Sequence, residues 1–460
     1  MRGAITREYL EAQILPLAAR YDFARALFIE TSGLTVSSNL NQTFVEPLSA
    51  QRGIVVSVLH NGLMYEGSSV VNTGRDVLRT IRGLEATLRR SSAVGSLKMV
   101  PETPLRLNSG SAVSDSLSEA DKAAFAARMA REIKARKKLV AMASARYKQT
   151  NTREIYVSGK KSLEQYLPRF EAIYSAVLKD DATNATAQIY DGFSQQGSWE
   201  LMGENLQLID GMLADGEKIL GAPRLEPGVY DCIFTPSLSG MLAHEAFGHG
   251  TEADTMQKGR ARGTEYLGKF VAAPKVRLYD SPDLPKAAAS YFFDHEGMPA
   301  SETRVVENGI LHQPMTDHAS ASRMNYKRSP NGRRESFDHK IYSRMTNTFF
   351  MPGEDKLEKM IRSIPEGFFV DRATNGMEDP KSWGIQLEAL VARRISGGRL
   401  TDEYFSPVIV TGYVPEILQS ISMISEGLQI NGLGMCGKGY KEWVKVTDGG
   451  PYLKLKARLA

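Results

Sequence analysis

Two hydrophobic periodicities run through the first half of the chain. The β-branched run at 54–59 (IVVSVL) precedes Asn61-Gly62, a pattern that predicts a strand followed by a hairpin turn. Between residues 75 and 90, apolar residues recur at helical spacing with arginines on the other side, which predicts a helix. A Ser116-x-x-Glu119 pair resembles a capping box and predicts that a further helix opens there and runs to about Ala145.

The pattern changes after residues 221–228 (GAPRLEPG). Two prolines and two glycines interrupt both periodicities there, so this segment is the best candidate for a domain boundary. Beyond it, short extended runs and frequent turns indicate a β-rich region with few long helices. The sequence therefore predicts an α+β protein. An N-terminal α/β domain covers residues 1–222, and a β-rich, barrel-like C-terminal domain covers residues 223–460.

Composition narrows the class of protein. The hydrophobic fraction of 42% and the charged fraction of 24% are ordinary for a soluble globular protein. The net charge of +4 is small and spread out, so it does not argue for nucleic-acid binding. Two cysteines in 460 residues exclude a disulfide framework and suit a reducing compartment. No run of apolar residues is long enough for a membrane span or a signal peptide, and we expect a cytoplasmic protein.

The first chemical motif follows a predicted strand at 229–234. Thr235 is a suitable N-cap and Pro236 suits the first helical position, so a helix is predicted to begin here. It ends in HEAFGH, residues 244–249, which is one residue longer than the H-E-x-x-H motif of zinc peptidases. Glu245 continues the apolar side of the helix, where a partly desolvated carboxylate is suited to act as a general base.

The extra residue changes the geometry of the two histidines. Residues five apart on an ideal α-helix point about 140° apart, so His244 and His249 would not converge on one metal. A π-bulge would bring them together, and so would a helix that breaks at Gly248; the glycine favours the break. The six-residue pattern alone does not establish a metal site.

A second signal lies in the glycine-rich segment 431–439 (NGLGMCGKG). Cys436 there would complete a His₂Cys ligand set for tetrahedral zinc and leave one position open for water. Cys232, in contrast, fits a small buried side chain within a strand. The G-x-G-x-x-G spacing at 432–437 does not indicate a dinucleotide site, because a strand–turn–strand pattern follows instead of a helix.

Together these motifs resemble the TldD/PmbA family of metallopeptidases. The matching segments are HEAFGHGTEAD (244–254), DHEGMP (294–299), NGRRESF (331–337), RMTNTFFMPGE (344–354), GLGMCGKG (432–439) and, more loosely, RGIVVSVLHNGLMYEG (52–67). The resemblance implies that His244, His249 and Cys436 bind zinc and that Glu245 is the catalytic base. It also implies a TldD-type, metal-bearing subunit that forms a homodimer, or a heterodimer with a related subunit, around a cavity for unfolded peptide.

The sequence thus predicts a zinc-dependent metallopeptidase that hydrolyses unfolded peptides or small proteins, with Glu245 activating a zinc-bound water. One alternative is a non-catalytic assembly partner or modulator subunit, in which a fourth protein ligand would close the metal site. Another is a nucleic-acid-associated modulator, which would need a concentrated basic face.

Two further sets of residues are left open. Arg333, Arg334 and Arg344 could steady a substrate carboxylate or the tetrahedral oxyanion, or they could pair with nearby acids and serve only the fold. Surface or structural roles are expected for the four remaining histidines of the C-terminal half, which are His295, His312, His318 and His339.

Overall fold

The computed structural model of the protein describes residues 5–112, 115–439 and 442–460. The α-helices are α1 Arg7–Ala18, α2 Gly74–Arg90, α3 Glu119–Arg136, α4 Leu208–Ile219, α5 Pro236–Ala243, α6 Ala253–Gln257, α7 His318–Met324, α8 Leu357–Arg362 and α9 Val414–Gln419. A π-helical turn covers His244–Gly248, and 3-10 turns cover Trp199–Gly203, His249–Thr251 and Arg262–Tyr266. Among the described residues, no helix is both long and apolar enough to cross a membrane.

The strands of the first half are β1 Phe23–Asn39, β2 Thr43–His60, β3 Leu63–Val70, β4 Leu105–Ser109, β5 Val140–Ser158, β6 Lys161–Lys179 and β7 Thr186–Gln196. They form one sheet in the order β3-β2-β1-β5-β6-β4, with β7 also paired to β6. All of these pairs are antiparallel except β4 with β6. Helices α1 and α2 bury their apolar sides against β1, β2 and β5, and α3 and α4 bury theirs against β5 and β6.

The strands of the second half are β8 Gly228–Phe234, β9 Leu278–Asp280, β10 Thr303–Glu307, β11 Ile310–Leu311, β12 Gly332–Arg333, β13 Tyr342–Ser343, β14 Asn347–Phe350, β15 Glu366–Asp379, β16 Gly384–Ser396, β17 Arg399–Phe405, β18 Val408–Tyr413, β19 Met423–Ile424, β20 Gln429–Asn431, β21 Met435–Lys438, β22 Glu442–Lys445, β23 Thr447–Gly450 and β24 Leu453–Leu459. The order β15-β8-β24-β18-β16 closes on itself, because β16 also pairs with β15. This closed barrel, within a mixed α and β protein, confirms the predicted fold class.

A second sheet lies beside the barrel in the order β11-β10-β9-β14-β23-β20. Helix α5 packs between this sheet and the barrel strand β15. Its buried residues Leu238 and Leu242 belong to the largest apolar core, together with the barrel residues Phe234 and Leu455. The core therefore fixes the end of α5 close to β23 and β15, which both contribute to the candidate site.

Several local predictions are confirmed. The run at 54–59 lies within β2, and Asn61 and Gly62 form the hairpin turn to β3 with positive φ angles of 51° and 70°. The helix predicted for residues 75–90 is α2. No strand or helix covers residues 221–227, and the two-domain division at 222/223 stays a prediction.

The prediction for the third helix was wrong at both ends. The N-cap is Ser118, whose side chain accepts a hydrogen bond from the Asp121 N–H, so the capping box lies two residues later than Ser116. The helix ends at Arg136 instead of near Ala145, because β5 begins at Val140 and pairs along its length with both β1 and β6. Pairing on two sides outweighs the helical preference of an alanine- and lysine-rich segment.

Candidate metal centre

The metal-motif helix begins as the sequence predicts. Thr235 is the extended N-cap and Pro236 is the first helical residue. The Thr235 hydroxyl donates to Asp371 Oδ1 at 2.6 Å instead of capping its own helix, which ties the start of α5 to barrel strand β15.

The distortion of the motif differs from the favoured prediction. Residues His244–Gly248 form a turn of π-helix that follows α5 without a break, and His249 begins the next 3-10 turn. The wider turn brings residues five apart onto one side, and the two imidazole ring centroids lie 5.5 Å apart. A Cβ atom on Gly248 would lie 1.8 Å from Met345 Sδ, so any other residue there would have to displace the buried Met345 side chain.

The two histidines meet Cys436 across a separation of 187 residues. Cys436 Sγ lies 3.3 Å from His249 Nε2. One ligand atom each of His244, His249 and Cys436 fits within 4.8 Å of the others, which is the spacing of ligands around one small cation. His244 and Cys436 are buried and His249 is half-buried, so the group faces a cleft and is shielded on its other sides.

The electrostatic coupling of the three groups favours a thiolate at Cys436. Burial alone would raise the pKa of the Cys436 thiol, but the two adjacent imidazoles lower it well below its usual range. Burial lowers the pKa of His244 and the Cys436 sulfur raises it, with a net increase. The buried His244 Nδ1 has no hydrogen-bond partner among the described residues. A thiolate and two imidazoles form the nitrogen–sulfur ligand set that Zn²⁺ prefers, and one of these imidazoles has a ring nitrogen without a hydrogen-bond partner in the described residues.

Two buried arginines donate hydrogen bonds to the hairpin that carries Cys436. Arg344 donates to the Cys436 carbonyl at 2.7 Å and to the Glu442 carbonyl at 2.9 Å, one on each strand of the β21–β22 hairpin. Arg333 donates to the Lys445 carbonyl at 2.8 Å. Arg334 donates to Glu66 at 2.9 Å. All three side chains are buried and none lines the cleft, which favours the structural alternative for these arginines.

Behind His249 lies a charged group formed by Glu252, Lys438 and Asp254. Glu252 Oε2 lies 3.4 Å from His249 Nδ1 and 3.0 Å from Lys438 Nζ. Burial raises the pKa of Glu252, but Lys438, His249 and Arg344 together lower it to about 2. A carboxylate on the second ring nitrogen fixes the orientation of the imidazole, as is common for metal-bound histidines.

The centre opens into a cleft of about 1080 Å³. Glu245 is half-buried in its wall, and a Cβ atom on Gly376 of β15 would lie 2.6 Å from Glu245 Cγ. The described lining contains four further acids, and two of them have strongly raised pKa values. Burial raises the pKa of Glu378 to about 9 and that of Asp448 to about 7. Both oxygens of Glu378 and the Oδ1 of Asp448 lack a hydrogen-bond partner in the described part of the chain.

The remaining histidines and the second cysteine lie away from this centre. His295 accepts from the Arg334 N–H at 2.9 Å and its other ring nitrogen lies 3.2 Å from Glu154, which is a structural role. His318 contacts the Lys98 carbonyl, and His312 is exposed. Cys232 is buried in the barrel core, and burial raises the pKa of its thiol.

His339 belongs to a second group with Glu335 and Glu442, whose ligand atoms also lie within 4.8 Å. Its Nδ1 lies 2.8 Å from Glu442 Oε2. Burial lowers the pKa of His339, but the hydrogen bond to Glu442 raises it overall, which favours an imidazolium paired with the carboxylate.

The family model described as the PmbA/TldA metallopeptidase C-terminal domain matches residues 227–458. The chain belongs to the TldD/PmbA family. The match contains the whole barrel, the π-helical turn and the Cys436 hairpin.

Curated relatives agree with this assignment. A metalloprotease TldD homolog of Buchnera aphidicola subsp. Schizaphis graminum is 34% identical over 233 residues, 50% of this chain and 47% of that protein. A metalloprotease of Methanothermobacter thermautotrophicus is 31% identical over 244 residues, 52% of this chain and 53% of that protein. A zinc metalloprotease TldD homolog of Saccharolobus solfataricus is 29% identical over 231 residues, 50% of this chain and 51% of that protein. The matched part of this TldD/PmbA chain therefore spans about half the length of these relatives.

Solved structures share the fold along nearly the whole chain. TldE from Thermococcus kodakarensis superposes with a TM-score of 0.75 at 15% identity and covers 98% of this chain and 100% of its own. A Thermotoga maritima protein, crystallised as a proposed modulator of DNA gyrase, gives a TM-score of 0.76 at 17% identity and covers 99% of this chain and 100% of its own. At these identities the likeness extends to the fold alone.

The sequence analysis did not predict three acidic residues that lie at this candidate site of the TldD/PmbA chain. Glu252 could have been found, because it lies three residues after His249 within the same motif. Glu378 and Asp448 gave no such signal, since each comes from a strand far along the chain and is brought to the cleft only by the sheets.

Proposed function

We propose that this chain is a zinc-dependent metallopeptidase subunit in which His244, His249 and Cys436 hold the metal and Glu245 is the general base. The observation that carries the proposal is the convergence of the three ligand side chains beside Glu245 in one large cleft. The names of the relatives, metalloprotease and zinc metalloprotease, support the same chemistry.

Each side chain has a distinct task in the proposed reaction. When bound, zinc would polarise the scissile carbonyl and acidify water at its open coordination position. Glu245 takes the proton of the attacking water and passes it to the leaving amine. Glu252 holds the His249 ring in place, and Arg344 holds the backbone of Cys436. One thiolate ligand lowers the charge of the centre, which makes a carboxylate base more necessary.

Replacing the base tests the role of Glu245. We expect Glu245→Gln to retain one zinc per chain and to lose peptidase activity by about 100-fold or more, because the amide cannot accept the proton. Metal analysis and digestion of an unstructured peptide measure the two effects. Glu265→Gln, an exposed glutamate outside the cleft, is the matched control and should change neither. Near-normal turnover by Glu245→Gln would refute the assignment.

Removal of a ligand tests the metal. We expect Cys436→Ser to lose zinc and peptidase activity together, and a chelator to abolish the activity of the unmodified protein reversibly. Cys232→Ala is the matched control, since Cys232 is also a buried cysteine but lies in the barrel core. Full activity in the presence of chelator would contradict a metal mechanism.

The non-catalytic alternative differs at the fourth coordination position. Within residues 5–112, 115–439 and 442–460, the ligand group at the cleft comprises three protein side chains. This leaves a position for water or substrate and favours a catalytic over a purely structural metal.

The proposal extends to the substrate, the assembly and the compartment. We propose that unfolded peptide enters the cleft, and that edge strand β20, which lines it, offers backbone groups for strand addition. We further propose a homodimer, or a heterodimer with a related family subunit, in the cytoplasm. Light scattering of the purified chain, alone and mixed with such a subunit, would distinguish the two assemblies.

A further inference from the structure

The cleft displays large apolar side chains to solvent. Five of them line it while remaining between 37% and 56% exposed: Tyr190, Met377, Ile430, Met435 and Trp443. Single exposed apolar residues are normal on any protein surface, but a group gathered around one concavity marks a binding site.

These apolar side chains flank the proposed metal ligands. Met435 precedes Cys436, and Trp443 pairs with Gly437 across the β21–β22 hairpin. Because strand side chains alternate, Met435 lies on the opposite face of the hairpin from the buried Cys436. A Cβ atom on Gly437 would lie 3.2 Å from the Trp443 ring, so the indole lies across the glycine between the two strands. The hairpin thus presents a methionine and a tryptophan beside the metal ligand.

A second wall repeats this arrangement. Gly376 of β15 contacts Glu245, and Met377 follows it directly with more than half of its surface exposed. Ile430 lies on β20, and Tyr190 lies on β7 of the N-terminal sheet. Apolar side chains therefore lie both near Glu245 and on the hairpin that carries Cys436.

Acidic side chains of the cleft greatly outnumber its lysines and arginines, so the cleft offers little to pair with an acidic ligand. Its described lining contains five carboxyl groups: Asp191, Glu245, Asp371, Glu378 and Asp448. Arg372 is the one lysine or arginine among the lining residues that the structure describes, and its guanidinium is already bound by Asp191 at 2.9 Å and Asp215 at 2.7 Å. Among the described lining residues, no lysine or arginine is therefore left without an acidic partner of its own.

We propose that this cleft selects extended peptide segments that carry apolar side chains around the scissile bond, and that it rejects acidic ones. The inference rests on the proposed peptidase function, in which the scissile carbonyl, and not a substrate side chain, takes the open position of the metal. Apolar side chains of the peptide bury the exposed methionine, isoleucine and indole surfaces, whereas an aspartate would lose its hydration beside other carboxylates.

Peptide binding to the full-length Glu245→Gln protein, incubated with zinc chloride, tests the selection without requiring turnover. Three fluorescein-labelled peptides share one Gly/Ser frame and differ at two central positions, which carry Leu, Ser or Asp. We expect anisotropy to give a Kd for the Leu peptide about 10-fold or more below that of the Asp peptide, with the Ser peptide between them. Equal Kd values, tighter binding of the Asp peptide, or no binding of any peptide would overturn the inference.

Variants in the same Glu245→Gln background identify the surface involved. Trp443→Ser and Met377→Ser should each weaken the Leu peptide about fivefold and leave the Asp peptide unchanged. Phe270→Ser is the matched control, since Phe270 is as exposed as Met377 but lies outside the cleft, and it should change nothing. Equal weakening of all three peptides by both cleft variants would contradict selection. If unmodified protein cleaves none of the peptides while the Leu preference persists, the peptidase proposal fails and the selection stands.

Discussion

A single additional residue decides the geometry of the metal motif. In H-E-x-x-x-H the second histidine is one position too far along for an α-helix, and the chain accommodates it with the π-helical turn His244–Gly248. Such turns are rare, and most occur as single turns within α-helices, frequently at functional sites. Here Met345 fills the space beside Gly248.

The close contact at Gly248 leads to a residue-scale prediction. Gly248→Ala should lower zinc occupancy and the melting temperature, because the added methyl group overlaps Met345 Sδ and must displace the π-helical turn. Metal analysis and calorimetry measure both quantities. Gly83→Ala is the matched control, since it lies within α2 with nothing within 4 Å of the added atom. That substitution should stabilise the protein by about 0.5–1 kcal/mol. Unchanged zinc content in Gly248→Ala would show that the turn is not tightly constrained.

The hairpin of β21 and β22 is the element that carries the proposed ligand Cys436. It is a two-stranded unit whose own pairing extends over four residue pairs. Isolated hairpins are marginal in water, so its position has to come from outside contacts. Arg344 provides them, because its guanidinium bonds a carbonyl on each strand and is almost completely buried.

Removing this guanidinium should loosen the Cys436 ligand. We expect Arg344→Met to weaken zinc binding about 10-fold to 100-fold, which is the typical effect of removing a group that positions a metal ligand through hydrogen bonds. Competition with a chromogenic chelator measures the affinity. Arg323→Met, at an exposed arginine of α7, is the control and should leave the affinity unchanged. An unaltered affinity in Arg344→Met would mean that the hairpin keeps its position without the arginine.

At the scale of the whole molecule, buried ion pairs join the N-terminal sheet to the C-terminal half. Arg25 of β1 lies 3.1 Å from Glu296, and Glu296 also lies 2.8 Å from Arg328. All three side chains are less than one-tenth exposed. Burial alone would raise the pKa of Glu296, but Arg328 and Arg25 hold it well below its usual range. The connection is therefore electrostatic and sensitive to acid.

The sign of the pH effect follows from this lowered pKa. The folded protein binds the Glu296 proton more weakly than the unfolded chain does. The ion pairs of Glu296 therefore add to the free energy of unfolding above the unfolded pKa of about 4.3, and this addition is lost as the pH falls toward the lower folded pKa. We expect Glu296→Gln to lower the free energy of unfolding at pH 7 by up to about 3 kcal/mol, since two buried guanidinium groups each lose one of their charged partners while Arg328 keeps Asp294 and Arg25 keeps Glu66. It should also reduce the loss of stability between pH 5 and 3. Denaturant unfolding across that pH range measures both effects.

The matched control for this pair is Glu302→Gln. Glu302 forms an exposed ion pair with Arg304 at 2.9 Å, so its removal should cost less than about 1 kcal/mol at any pH. An identical acid profile in Glu296→Gln and the unmodified protein would assign the acid sensitivity to other carboxylates.

Local signals in the sequence were sufficient for some features and misleading for others. The Asn61-Gly62 turn, helix α2 and the strand–proline–helix start at β8 and α5 were predicted correctly, because each depends on residues a few positions apart. The segment after Arg136 was assigned to a helix because alanines and lysines favour one in isolation. Only the pairing of β5 with β1 and β6 makes it a strand. At Tyr147 the partners are Val36 and Ala172, which lie 111 and 25 residues away along the chain.

The sequence by itself determined the family and the candidate ligand set, which is two imidazoles, a thiol and a carboxylate in motifs that indicate a zinc-type site. The tertiary structure decided the features that require distant segments to meet. It selected the π-helical turn, directed Arg333 and Arg344 to the hairpin and brought Glu378 and Asp448 to the cleft. The physical reason is that ligand type is a property of single side chains, whereas burial, charge balance and shape are set by the packing of sheets that the local sequence does not encode.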